Sequence, residues 1–157
     1  MIKQSKISVR HLVEFILRRG SIDNRKKSNH TALEGARIHR KLQKDAGENY
    51  EKEVFLKTTV QLDEYHLIVE GRADGIFKRD GIYYIDEIKT SEPRFEDLEP
   101  EQVELFFHQA RVYAYIYSQE HDLQEINLQL TYFQTAEEVI TRKVEHQTRE
   151  QLEIFFK

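Results

Sequence analysis

The stretch from Glu70 to Thr90, EGRADGIFKRDGIYYIDEIKT, predicts two β-strands joined by a tight turn. Its Val-, Ile-, Phe- and Tyr-type residues favour strands, and Asp80-Gly81 favours a two-residue turn in which both central residues have positive φ. Counting outward from this turn places Asp74 directly opposite Glu87, with Cβ atoms about 5 Å apart. The most strand-like part of the chain therefore brings two carboxylates together.

Charged residues in such a hairpin need partners, because burying an unpaired charge is costly. Lys89 lies two residues beyond Glu87 and points to the same face of the sheet. Two adjacent carboxylates repel unless a proton or a cation lies between them, and Mg²⁺ or Mn²⁺ is the cation that hard oxygen ligands favour. Asp86 faces the other way, which predicts a structural role in a salt bridge or at a sheet edge. The alternative is a surface hairpin on which Asp74, Glu87 and Lys89 form an exposed salt-bridge cluster.

The composition limits the classes of protein that fit. A chain of 157 residues with 39% hydrophobic content suits one domain with one core. The absence of cysteine excludes disulfides, a cysteine nucleophile and an iron–sulfur cluster. The sequence contains no apolar run of about 18 residues and no signal-peptide pattern, so we expect no membrane segment and a cytoplasmic protein.

The charge is unevenly distributed along the chain. The formal net charge of −4 argues against a generally basic nucleic-acid binder. Residues 18–44, however, contain nine Lys or Arg and two acids, a net charge of 9 − 2 = +7, which leaves −4 − 7 = −11 for the remainder. This segment, with Arg40 and Lys41, either presents a basic face to a polyanion or forms a solvated loop and helix face.

The pattern of hydrophobic residues predicts the element order ααβββαββα. Capping residues predict the starts of three helices: Ser8 for the first, a Thr31–Glu34 capping box for the second and Thr148 for the last. Gly20 and Gly47 are the predicted ends of the first two helices. The predicted strands cover 52–61, 65–77, 82–90, 125–134 and 138–147, and the third helix covers 102–119.

This order predicts an α+β domain with one central mixed sheet flanked by helices. The last helix ends within its hydrophobic pattern at LEIFFK, so we expect residues 1–157 to be one domain excised from a longer protein.

Five sequence elements resemble the PD-(D/E)XK nucleases, and in particular their RecB-like exonuclease branch. Asp74 followed by Glu87-Ile88-Lys89 is similar to the D…(D/E)-x-K signature. GARIHR resembles the early Gly-x-x-x-His motif of that branch and contributes His39. GRAD places a glycine three residues before Asp74, and QARVY resembles the helical Gln-x-x-x-Tyr motif, with Gln109 and Tyr113. The opening ISVRHLVEFILRRGSID is similar to the nuclease-like N-terminal domain of DinG-like, XPD-related helicases of Gram-positive bacteria.

The resemblance implies a restriction-endonuclease-like core and a role for each matching residue. Asp74, Glu87, His39 and the main-chain carbonyl of Ile88 would ligate Mg²⁺ or Mn²⁺. Lys89 would position the attacking water and stabilise charge on the phosphate. Gln109 and Tyr113 would reach the site or the DNA backbone, where Arg40 and Lys41 would also bind.

The implied activity is metal-dependent hydrolysis of DNA, as an exonuclease in repair or recombination. Single-stranded DNA or duplex ends would be the substrate, a helicase domain in cis or trans the partner, and the domain a monomer. The alternative is a catalytically silent, nuclease-like DNA-binding or docking module of a helicase. A nuclease that acts on RNA or resolves junctions is a third possibility. Glu53, at the start of a strand, is a weaker candidate for a further acidic ligand.

Overall fold

A computed structural model describes residues 3–16, 29–62 and 64–156. The strands are β1 (Lys3–Ser8), β2 (Glu51–Leu62), β3 (Tyr65–Arg79), β4 (Ile82–Ser91), β5 (Glu125–Gln134) and β6 (Val139–Thr148). The helices are α1 (Val9–Ile16), α2 (Asn29–Asp45), α3 (Pro100–His121) and α4 (Arg149–Phe156), with a short 3-10 turn at Phe95–Asp97. In these three ranges, no helix is long and apolar enough to cross a membrane.

The sheet is built around β3, whose two edges are used differently. β2 runs antiparallel along one edge, pairing from Tyr65 to Ile76. β1 pairs in parallel with Tyr65–Glu70, and β4 pairs antiparallel with Gly75–Arg79. Since β2 covers both halves of one edge, β1 and β4 must share the other edge. They leave residues 71–74 between them, and we call this gap the fork.

Beyond β4, the sheet continues with β5, which is parallel to β4, and β6, which is antiparallel to β5. The result is a six-stranded mixed sheet with helices packed against it. The predicted α+β class, with one mixed sheet flanked by helices, is confirmed.

Strand β4 separates two groups of packed side chains. Alternation along β4 places Ile85, Glu87 and Lys89 on one face and Asp86 and Ile88 on the other. The face with Ile85 belongs to the main core, which includes most of the buried residues of α3. The face with Ile88 packs against Ile38 and Leu42 of α2. The charged residues of β4 therefore lie between two helices.

Several element boundaries follow from local sequence signals. Asp80 and Gly81 have φ values of 53° and 82°, as the two-residue turn predicts. The hairpin pairs Gly75 with Asp86 and Arg79 with Ile82, which is the predicted register. At the last helix, the Gln151 main-chain N–H donates to Thr148 Oγ1 at 3.2 Å, and the Thr148 N–H donates to Gln151 Oε1 at 2.8 Å. These predictions are confirmed.

Two predictions about the N-terminal half were wrong. Strand β1 was not predicted, because its sequence KQSKIS has a single large apolar residue, as an edge strand allows. Helix α2 begins at Asn29, so Thr31 lies inside the helix and does not cap it. Ser8 does cap α1, since its Oγ accepts the His11 N–H at 3.1 Å. Gly20, the predicted end of that helix, lies outside the described residues.

Asp86 has the predicted structural role but not the predicted surroundings. Strand β4 lies between β3 and β5, so Asp86 is interior rather than at a sheet edge. Tyr50 Oη donates to Asp86 Oδ2 at 2.6 Å, Thr131 Oγ1 donates to Oδ1 at 2.6 Å and Gln129 Nε2 donates to Oδ1 at 3.2 Å. Neutral donors therefore satisfy a buried carboxylate for which we had predicted a salt bridge.

Candidate metal centre

Asp74 lies at the fork, where β3 passes from one neighbouring strand to another. The hairpin ladder ends at the pair Gly75–Asp86, so Asp74 and Glu87 are the next positions in register. Asp74 Oδ2 accepts a hydrogen bond from the Ile88 main-chain N–H at 2.7 Å. This bond ties the Asp74 side chain to β4 and holds the carboxylate beside Glu87.

Glu87 forms an ion pair with Lys89 next to Asp74. Lys89 Nζ lies 3.0 Å from Glu87 Oε1, and the Glu87 side chain is only 7% exposed. Lys89 Nζ also lies 5.4 Å from the centroid of the Phe106 ring on α3. The alternative of an exposed salt-bridge cluster does not fit this burial, since the side chains of Glu87, Asp74 and Lys89 are only 7%, 18% and 24% exposed.

Burial affects the pKa values of Asp74 and Glu87 more strongly than the neighbouring positive charge and hydrogen bonds offset it. Burial raises the pKa of Asp74 well above its ordinary value, and the charge of Glu87 adds to this effect, although the Ile88 N–H and Lys89 oppose it. Burial also raises the pKa of Glu87, while Lys89 is the strongest influence in the other direction. One ammonium therefore does not neutralise two carboxylates, and a bound cation would offset the remaining negative charge.

His39 approaches Asp74 from α2. Its Nδ1 lies 3.8 Å from Asp74 Oδ1, and its side chain is 27% exposed. The helix is held there by Ile38 and Leu42, which pack against Ile88 of β4. The structure thus brings together four residues that come from different sequence motifs: Asp74, Glu87, Lys89 and His39. The Ile88 carbonyl stays a predicted ligand, since the contact that the structure shows is made by its N–H.

Gln109 and Tyr113 lie inside the protein rather than on its surface. Tyr113 is 8% exposed, and burial raises the pKa of its hydroxyl group. A Cβ added at Gly71 would lie 2.6 Å from Tyr113 Oη, so the glycine of GRAD makes room for this ring. Gln109 is 5% exposed and falls on the same helical stripe, between Phe106 and Tyr113. Both motif residues are buried, and Tyr113 lies at the fork beside Gly71, while direct contact with DNA stays a prediction.

Sequence reasoning missed two residues beside the site. Gln43 is buried on α2 and donates hydrogen bonds to Glu53 and to the main chain of Asp74. Arg10, in the first turn of α1, is close enough for its charge to lower the pKa of Glu87. The sequence around Gln43 did not indicate its role, because its hydrogen-bond acceptors lie on two strands further along the chain. Arg10 lies two residues after the end of β1, a strand that was itself missed.

The structure describes part of the basic segment 18–44, namely residues 29–44. Arg37, Arg40, Lys41 and Lys44 are exposed on α2, next to His39, while five of the nine basic residues in 18–44 lie outside the described residues. Arg37 pairs with Glu34 at 4.0 Å. The exposed side of the helix that contributes His39 is therefore basic.

The donors at the fork suit a hard divalent cation. They are the carboxylates of Asp74 and Glu87 and the imidazole of His39, a set that Mg²⁺ and Mn²⁺ accept. In the described part of the chain, no group of three or more His, Asp or Glu side chains converges closely enough to form a ready-made metal cage. The excess negative charge supports a metal here, but Lys89 and Ile88 occupy part of the coordinating surface.

A separate surface cavity of about 590 Å³ lies toward the turn of the hairpin. Its lining includes Glu48, Lys78, Tyr83 and Tyr117, and none of the candidate metal ligands. The site at the fork is thus defined by its charged groups and not by this cavity.

Because burial raises the pKa values of Asp74 and Glu87, we expect the free energy of unfolding to fall as pH rises. A carboxyl group whose folded pKa lies above its ordinary value, 3.8 for Asp, holds a proton that the unfolded chain has already lost. The stabilisation that this proton gives the folded protein is fully present below the pKa of the unfolded chain. It is lost as pH rises through the pKa of the folded protein. We expect Asp74→Asn to raise the free energy of unfolding of the metal-free protein by about 1–2 kcal/mol at pH 8. Urea unfolding at pH 5 and pH 8 measures this.

The matched control is Asp97→Asn, because Asp97 is exposed in the 3-10 turn. It should leave the stability at both pH values within experimental error. An Asp74→Asn variant less stable than wild type at pH 8 would contradict the cost of burying the ionised Asp74 carboxylate beside Glu87.

Comparison with known proteins supports the fold alone. No protein-family model and no curated protein matches the chain. Among solved structures, the chain is similar to the crystal structure of SSO0001, with a TM-score of 0.63 and 19% sequence identity. The match covers 99% of this chain and 76% of that one. At this identity the two proteins share a fold, and the chemistry of the site has to be argued from its residues.

Proposed function

We propose that this domain is a divalent-metal-dependent nuclease that hydrolyses phosphodiester bonds in DNA. The observation that carries the proposal is the convergence at the fork of Asp74, Glu87, Lys89 and His39. These residues come from β3, β4 and α2, and the ladder between β3 and β4 ends next to them, at the pair Gly75–Asp86. A purely structural hairpin would not require two buried carboxylates that share one ammonium.

Each residue has a chemical role in this proposal. Asp74, Glu87 and His39 would hold Mg²⁺ or Mn²⁺, with the Ile88 carbonyl as a further ligand. A bound divalent cation would supply an acidified water and would screen the phosphate as negative charge develops. Lys89 would hold the attacking water and stabilise the charge on the phosphate oxygens. Tyr113 packs on Gly71 and so supports β3 from the side of α3.

Cleavage of end-labelled DNA tests the proposal. Single-stranded and duplex substrates are incubated with the protein in Mg²⁺, Mn²⁺ or EDTA, and labels at either end report the polarity. We expect degradation that depends on metal and is abolished by EDTA. An RNA substrate in parallel separates a deoxyribonuclease from an RNA-directed enzyme.

The second candidate function is a nuclease-like module that binds DNA or docks on a helicase without cleaving. Two contacts favour it: Lys89 is already paired with Glu87 at 3.0 Å, and Asp74 Oδ2 already accepts the Ile88 N–H. In this case the charges would satisfy one another and would stabilise the fork. DNA binding that is unaffected by metal, without cleavage in any metal, would favour this candidate.

The partner is proposed from the resemblance of the N-terminal segment to helicase-fused domains. We propose a helicase in cis or trans that delivers single-stranded DNA or duplex ends during repair or recombination. The molecular mass in solution distinguishes the proposed nuclease from a junction resolvase, because a resolvase would form a stable dimer and we propose a monomer.

The basic face of α2 predicts how DNA binding responds to salt. Reversing the charge of Arg40 and Lys41 to Glu should weaken binding to all sequences alike, because phosphate contacts carry no base information. Losing two phosphate contacts should reduce the slope of log K against log salt by about two. Fluorescence anisotropy from low to moderate salt, with EDTA present to prevent cleavage, measures both effects.

Reversal of Arg142 and Lys143 on β6 is the matched control, because these exposed cations lie on another element. An Arg40 and Lys41 variant with an unchanged slope would show that α2 does not contact the backbone.

A further inference from the structure

Gln43 is an unusual residue on α2, because it is a polar side chain that is only 4% exposed. Its side-chain nitrogen donates to Glu53 Oε1 at 2.9 Å and to the main-chain oxygen of Asp74 at 2.8 Å. An amide group has two N–H donors, so these contacts use its full donor capacity. Gln43 thus links α2 to β2 and β3 at once.

Gln43 binds the Asp74 carbonyl at a point where the ladder between β2 and β3 skips one pair. Lys52 pairs with Gly75 and Val54 pairs with Ala73, but Glu53 and Asp74 between them do not form a ladder pair. Glu53 has a φ of 53°, a left-handed conformation that is uncommon for a residue other than glycine. Gln43 donates to the Asp74 carbonyl at the position where the ladder is interrupted.

Gln43 and His39 lie four residues apart and so occupy the same stripe of α2. This stripe contacts Asp74 twice: Gln43 binds its main-chain oxygen, and His39 Nδ1 lies 3.8 Å from its carboxylate. The neighbouring apolar contacts of α2, from Ile38 and Leu42 to Ile88, are not directional. The two hydrogen bonds of Gln43 therefore set the rotation of the helix relative to Asp74.

We propose that Gln43 is a positioning residue of the metal centre, which fixes the imidazole of His39 against the carboxylate of Asp74 and holds the Glu53 carboxylate beside them. This proposal rests on the proposed function, since it concerns the same site. Gln43 does not ligate the cation; it acts through the geometry of residues that do. Groups of this kind, one step removed from the metal, commonly alter metal affinity by about 10- to 100-fold when they are replaced.

The test is the affinity of the full chain for Mn²⁺, measured by calorimetry and by electron paramagnetic resonance. Gln43→Met keeps the length of the side chain and removes both donors. Gln43→Asn keeps the amide but shortens its reach by one methylene, and it serves if the first variant does not fold. We expect the dissociation constant for Mn²⁺ to rise at least about tenfold in each variant. DNA cleavage should return toward the wild-type rate at saturating Mn²⁺.

The matched control is Gln134→Met, because Gln134 is a second buried glutamine, 7% exposed, whose amide donates to the Glu92 carbonyl. It should leave the Mn²⁺ affinity unchanged. If Gln43 were merely structural, replacing it would lower the unfolding temperature without changing the Mn²⁺ affinity, and this outcome would overturn the positioning role. Wild-type protein that binds no Mn²⁺ would instead overturn the proposed function, and the positioning role with it.

Discussion

Replacing Lys89 with methionine is expected to slow metal-dependent DNA cleavage by about 10²- to 10³-fold, the usual cost of removing one group that stabilises transition-state charge. Methionine fills similar space against Phe106 but has no charge with which to hold water or phosphate. Binding of Mn²⁺ should be retained, because Lys89 competes with the cation for Glu87. Single-turnover cleavage at saturating Mn²⁺ measures the chemical step separately from metal binding.

Lys143→Met is the matched control for this substitution. Lys143 Nζ lies 5.6 Å from the centroid of the Phe95 ring, much as Lys89 Nζ lies 5.4 Å from that of Phe106. The control therefore removes a comparable lysine–aromatic contact on β6 and should cleave at the wild-type rate. Cleavage by Lys89→Met at the wild-type rate would exclude Lys89 from the reaction.

The substitution Gly75→Ala is expected to lower the free energy of unfolding by about 3–5 kcal/mol. A Cβ at this position would lie 1.8 Å from Cζ of Tyr50, so the ring would have to move. Moving it would break the 2.6 Å hydrogen bond from Tyr50 Oη to Asp86 and leave part of a buried carboxylate unsatisfied. Urea unfolding monitored by circular dichroism measures this loss.

A second substitution shows whether the clash with Tyr50 is the cause. In a Tyr50→Ala background, Gly75→Ala should cost much less, because the ring that it strikes is absent. Gly35→Ala is the control for adding a methyl group: its nearest neighbour, Thr90 Oγ1, lies 3.1 Å away at the end of a side chain, and alanine favours a helix. Equal costs of Gly75→Ala with and without Tyr50 would contradict this explanation.

The hairpin was predictable because its determinants are local. Asp80 and Gly81 select the turn, and the turn sets the register that brings Asp74 opposite Glu87. Lys89 follows from alternation along the same strand. The sequence alone did not reveal why glycine is needed at the other positions of this segment. Gly71 and Gly75 leave room for the rings of Tyr113 and Tyr50, which come from distant parts of the chain.

The surroundings of the site could not be predicted in the same way. The fork exists because β1 and β4 share one edge of β3, and β1 has too few apolar residues to be recognised as a strand. Gln43 gave no local signal, since its two hydrogen bonds reach residues 10 and 31 positions away. The Asp86 carboxylate was predicted to be structural, but its donors Thr131 and Gln129 lie more than 40 positions further along the chain. Long-range packing determined each of these contacts.

The most direct test of the metal centre combines Mn²⁺ binding and DNA cleavage on the same samples of wild-type protein and Asp74→Asn. Asparagine keeps the size of the side chain and the acceptor for the Ile88 N–H, so the fold should persist while the carboxylate is lost. We predict that wild type binds Mn²⁺ and degrades end-labelled DNA, and that Asp74→Asn does neither. A folded wild-type protein that neither binds Mn²⁺ nor cleaves DNA, or an Asp74→Asn variant that does both as well as wild type, would contradict the assignment of the fork as a catalytic metal centre.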